Sequence, residues 1–144
     1  ISVAQLVPGA EILVVTTPQQ AAAEVAERAG AIAVQTHQKI TGVVENMSGL
    51  PCPHCGELVD VFGSGGGQRV AEGLTRAVGA EVPVLGTIPI DVRLREGGDE
   101  GKPVVLSDPD SPAGSALRSI ASALSSRKRG LAGMSLGITP RRNF

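Results

Sequence analysis

The sequence predicts an α/β fold built on a mostly parallel sheet, and three observations carry that expectation. Short apolar runs rich in β-branched residues recur at 11–17, 40–46 and 82–88, as strands buried on both faces of a parallel sheet do. Segments of helical period separate them, the pattern of βαβ units. The last segment places Ala113, Ala116, Leu117, Ile120, Ala121 and Leu124 at helical spacing, which predicts one buried stripe. Three strands with three or four helices leave sheet edges unmanaged, so the chain reads as part of a larger doubly wound fold.

Taken in order, residues 1–6 read as the end of a helix stopped by Pro8-Gly9, so the chain is expected to begin within a domain. The run 11–17 is expected as a central strand. Thr17 is expected to cap a helix over 18–35, with Pro18 at the first position, where a missing N–H costs nothing. Ala22, Val25, Ala29 and Ala33 define its inward face. The second strand, 40–46, leads into a loop with both cysteines, and Gly63-Ser-Gly-Gly-Gly67 leads into a helix over 68–78. After the third strand come a polar loop over 92–102 and a short extended segment at 103–106. Ser111-Pro112 then caps the final helix.

Composition narrows the function. The 144 residues include no Trp or Tyr and only two Phe, which excludes aromatic platforms for single-stranded nucleic acid. No apolar run is long enough to span a membrane, and no basic-then-apolar leader opens the sequence, so a cytoplasmic protein without membrane contact is expected. All 14 acidic groups and eight basic ones lie in residues 1–126, whereas 127–144 carry five basic groups. That tail is expected to be a solvated, disordered end rather than a nucleic-acid contact.

Cys52-Pro-His-Cys55 is the strongest chemical signal. Pro51 and Pro53 flank Cys52 and stiffen the loop, and paired thiols suit metal chelation in a reducing compartment. A tetrahedral zinc or a cubic cluster needs four ligands, and the chain has no further cysteine. The simplest completion is a symmetric dimer in which each copy gives Cys52 and Cys55. An inert exposed dithiol and a thioredoxin-like pair are the alternatives.

The run 63–67 lacks the Lys-Ser/Thr of a phosphate loop and the third Gly of a dinucleotide fingerprint. It is expected either to bind an anion at a helix start or to act as a flexible connection. Asn46 and the Pro89 to Asp91 turn fall at the C-terminal ends of predicted strands, where parallel sheets place their ligand crevice. Asn46 suits a purine edge or, equally, a turn cap.

Gly42-Val-Val-Glu-Asn-Met-Ser48, Cys52-Pro-His-Cys55-Gly56, Phe62-Gly-Ser-Gly-Gly-Gly67, Leu85-Gly-Thr-Ile-Pro-Ile-Asp91 and Arg95-Glu-Gly-Gly-Asp-Glu-Gly-Lys-Pro103 occur in this order. Together they resemble the C-terminal half of the Mrp/ApbC iron-sulfur cluster carriers, within the MinD/ParA-like P-loop ATPases. The resemblance covers about residues 1–126. It implies the C-terminal half of a P-loop NTPase-type three-layer fold and a homodimer bridging one [4Fe-4S] cluster for delivery to apoproteins. It also implies that Cys52 and Cys55 are cluster ligands, and that Asn46, Pro89 and Asp91 lie near the adenine of ATP. The phosphate loop and the acidic switch beside Mg²⁺ have no counterpart here, so these residues alone are expected neither to hold ATP well nor to hydrolyse it. The competing classes are a structural zinc-thiolate dimer and a ParA-like partitioning ATPase, the latter disfavoured by the acidic body.

Overall fold

Alternating side chains on a strand point to opposite faces, so a strand is buried on both sides only where helices cover both. In the computed structural model, which describes residues 6–7 and 9–126, that condition is met by β2 (Ile40–Asn46), the centre of a three-stranded parallel sheet. Its neighbours are β1 (Ile12–Thr16) and β5 (Val84–Ile88), giving the order β1-β2-β5. Val14 pairs with Val43, and Asn46 with Ile88. A small antiparallel hairpin, β3 (Leu50–Pro51) with β4 (Leu58–Val59), rises between β2 and the next helix.

Helices α1 (Ala22–Thr36) and α2 (Gly66–Val78) pack with one face of the sheet. There Val14, Ala33, Ile40, Val43, Val70, Ala71, Leu74 and Val82 form one core. Helix α5 (Pro112–Ser125) packs with the other, where Val44, Ile88, Ala113 and Ile120 form a second. Val43 and Val44 thus face opposite cores, each worth about 1.5–3 kcal/mol when fully buried. This makes the predicted α/β three-layer arrangement with a mostly parallel sheet.

Several local expectations change. Among the described residues β1 stands at the edge of the sheet rather than at its centre, with Leu13 39% and Val15 61% exposed. The first helix begins at Ala22, without a side-chain cap. Thr17 Oγ1 donates to Gln19 Oε1 instead, and Pro18 is fully buried with its carbonyl bound by Arg69 Nη2. Val25, expected on the inward face, is exposed, and Ala121 also faces solvent.

The expected polar loop holds a helix, α3 (Val92–Asp99), started by Asp91, whose carboxylate accepts the Arg93 N–H. The expected extended segment is a single helical turn, α4 (Val104–Ser107). Ser111 caps α5 as expected, its Oγ accepting the Gly114 N–H at 3.1 Å. The expected helix end over residues 1–6 lies almost wholly outside the described residues, as does the basic tail 127–144. Among the described residues, no helix is long and apolar enough to cross a membrane.

Candidate metal-thiolate hairpin and nucleotide crevice

Proline on both sides of Cys52 favours extended backbone, and extended backbone pairs. Leu50 faces Val59 and Pro51 faces Leu58, which places the Cys52–Cys55 turn at the hairpin tip. The tip closes with the Cys52 N–H donating to Glu57 O at 2.8 Å and the Gly56 N–H to Cys52 O at 2.9 Å. Gly56 sits at φ 76°, a conformation other residues resist.

Both cysteines are free; Cys52 is half-buried and Cys55 exposed. The Cys52 thiol is drawn below its ordinary value, first by the Cys55 backbone N–H, then by the His54 N–H and the Cys55 side chain. Donors aimed at a sulfur favour its thiolate, the form that binds metal. Among the described residues, no three His, Cys, Asp or Glu side chains gather into a metal site. His54 is exposed, and His37 ends α1 in a left-handed conformation. Along β4 and just after it, Leu58, Val59, Val61 and Phe62 are exposed apolar side chains.

Asn46 and the Pro89 turn come together. Ser48 N–H donates to Ile88 O at 2.9 Å and Ile90 N–H to Gly49 O at 2.8 Å, which joins the loops leaving β2 and β5. Asn46 Oδ1 accepts the N–H of the next residue, Met47, which sits at φ 57°. Its Nδ2 donates to no described residue. Asn46 also lines a groove of about 410 Å³ with Thr16, Thr17 and Ala22.

Asp91 is committed elsewhere. Its carboxylate takes the N–H of Arg93, the guanidinium of Arg93 and, at 3.4 Å, the N–H of Ala113. Burial pushes this carboxyl up, but the Arg93 side chain and then the Arg93 and Ala113 N–H groups outweigh it and hold it below its ordinary value. Asp91 therefore fixes the starts of α3 and α5 from one point.

The Gly-rich run is exposed over residues 63–65 and packed at Gly66 and Gly67. Gly65, at φ 72°, precedes a helix whose second residue, Gly67, gives its N–H to the Glu45 carboxylate. A Cβ on Gly66 would lie 2.6 Å from Pro18 O, and one on Gly67 2.9 Å from Glu45 Cβ, so only glycine lets this helix start sit so close. Glu45, the residue the sequence reading passed over, is 4% exposed. A lone carboxylate closing an apolar strand was the available signal.

A parallel sheet between helix layers, with its loops gathered at the C-terminal strand ends, is the arrangement of MinD-type P-loop NTPases. MinD from Aquifex aeolicus superposes with a TM-score of 0.58 over 87% of this chain and 48% of its own, at 22% identity. A ParA-class profile described as NUBPL iron-transfer P-loop NTPase matches residues 1–125, and the chain belongs to that family. It is 67% identical over 142 residues to an iron-sulfur cluster carrier protein of Mycobacterium tuberculosis H37Rv, covering 99% of this chain and 37% of that protein. It is 44% identical over 109 residues to the cytosolic Fe-S cluster assembly factor NUBP2 of Rattus norvegicus, covering 76% and 38%. The chain thus spans well under half the length of these relatives.

Proposed function

We propose that this chain is the thiolate-bearing part of an iron-sulfur cluster carrier. Cys52 and Cys55 of two copies hold one [4Fe-4S] cluster across a two-fold axis and release it to apoproteins. The observation that carries this reading is the half-site itself: two free thiols at a hairpin tip, one drawn toward its thiolate, with no third ligand gathered among the described residues. A cubic cluster needs four ligands, and a two-fold pair of such tips supplies them. Two kinds of support surround it: family relatives named for cluster carriage and assembly, and the exposed apolar side chains of Leu58, Val59, Val61 and Phe62, which favour covering that surface.

In the whole protein, ATP hydrolysis biases the distance between the two tips, holding the cluster in transit and loosening it at delivery. Asn46, with an amide Nδ2 to offer, and Pro89 face the adenine. Asp91 serves that crevice by fixing the turn. Phosphates and Mg²⁺ fall to residues outside this sequence, which has no phosphate-loop lysine motif.

Anaerobic reconstitution of the whole protein tests the proposal. About four irons per dimer with matching sulfide, lost in Cys52→Ala or Cys55→Ala, is the expected result. Iron retained after either substitution overturns it. A colourless protein carrying zinc assigns the thiols to a structural zinc dimer instead.

A further inference from the structure

A carboxylate is costly to bury, and Glu45 is buried at the end of a strand whose preceding residues, Val43 and Val44, are core. Its Oε2 accepts the N–H of Gly67, 22 residues along the chain. Those two residues bracket the whole excursion 46–66: the Asn46 turn, the hairpin, both cysteines and the glycine run. A second tie lies beside it. Arg69, in the first turn of α2, donates through Nη1 to Ser64 O at 3.1 Å and through Nη2 to Pro18 O at 3.0 Å.

We infer that Glu45 is a positioning residue for the thiolate hairpin, its buried carboxylate clasping the two ends of the cysteine-bearing excursion through the start of α2. Helix starts attract anions through unpaired N–H groups and the aligned peptide dipoles. Here the chain supplies its own side-chain oxygen as the acceptor, and the result is closure of a loop rather than capture of a ligand. The hairpin contributes two short strands and an exposed tip, so the base of the excursion sets where the thiols stand relative to the sheet. This rests on the carrier reading only for what the hairpin presents; the clasp itself is a property of the metal-free chain.

Amide exchange of the whole metal-free protein, with Co²⁺ alone as the probe of the thiols, tests the inference. In the wild type the Gly67 amide exchanges slowly, with the core amide of Leu74, while the amides of Ser64 and His54 exchange fast. Glu45→Ala raises exchange at Gly67 and at the hydrogen-bonded hairpin amides of Cys52 and Gly56 by roughly ten- to hundredfold. Glu45→Gln, which keeps an acceptor, restores part of the protection. The cobalt-thiolate absorption band weakens in the same order. Gly67→Ala attacks the clasp from its other partner, because the new Cβ would stand 3.3 Å from Glu45 Oε2.

Should Glu45→Ala fail to fold, Gly67→Ala and the wild-type Gly67 amide decide the matter. Gly67 exchanging as fast as Ser64 overturns the clasp. A rise in exchange with an unchanged cobalt band overturns the positioning role. A wild type without any cobalt band refutes the carrier reading, while exchange at Gly67, Cys52 and Gly56 still judges the clasp.

Discussion

Two excursions leave the same end of the sheet, and each is rooted by a nearly buried carboxylate, yet they are built for opposite ends. After β2, Glu45 is 4% exposed and meets one backbone N–H, and the 20-odd residues beyond it project thiols and apolar side chains into solvent. After β5, the Asp91 side chain is 5% exposed and meets a guanidinium and two N–H groups. Arg93 also reaches Asp108 at 2.9 Å, drawing the far side of that excursion back to its root. The second spends its polar chemistry on itself. The first holds its base and leaves its tip free to react.

The sharpest way to break this comparison is to remove the chemistry of the first excursion without touching its frame. Cys52→Ala is expected to abolish metal binding while leaving the urea midpoint within about 0.5 kcal/mol of wild type, because an exposed tip contributes little to the core. A large loss of stability would mean that the tip is structural.

Next in size is Asp91→Ala, which strips a cap from two helices and strands Arg93. The expected cost is about 2–3 kcal/mol by urea unfolding with an unchanged slope. Asp91 also gives an acid signature. Its folded carboxyl lies below its ordinary value of 3.8, so its contribution is fully present above that value and lost as pH falls through the folded one. Wild type should lose stability more steeply than Asp91→Asn in that acid window, and parallel curves would remove Asp91 from the account.

A smaller effect belongs to the tip. With its thiol drawn below 9.0, Cys52 should reach half-maximal alkylation at a lower pH than an unstructured cysteine peptide. Mutating the tip backbone context by Gly56→Pro should move it back. Smallest of all is Lys102→Ala. Its pair with Glu100 is 2.9 Å long but 70% and 60% exposed, so a change under about 0.5 kcal/mol is expected.

The contrast also explains what the sequence discloses. β2 and β5 are legible as short apolar runs and α5 as a helical stripe because burial selects their residues, as Val43, Ile88 and Ile120 show. Helix α3 is not, because Val92-Arg-Leu-Arg-Glu-Gly-Gly-Asp99 has no apolar stripe; Asp91, the cap that starts it, was the visible cue. The hairpin escapes notice because two-residue strands are too short to alternate. The cysteine pair was visible from spacing, since Cys-Pro-His-Cys needs no fold to be noticed. Glu45 was unreadable in its role, because a partner 22 residues away leaves no local pattern.

The uncovered side of β1 has a practical corollary. Among the described residues, Val15 and Leu13 lie open on a strand with one unpaired edge, so residues 1–144 prepared alone offer a template to which another strand can add. In concentrated solution this invites stacking that has nothing to do with sulfur. Such clumping should ignore chelators and thiol blockers and yield to Val15→Lys, whereas metal-bridged pairing should behave the other way round.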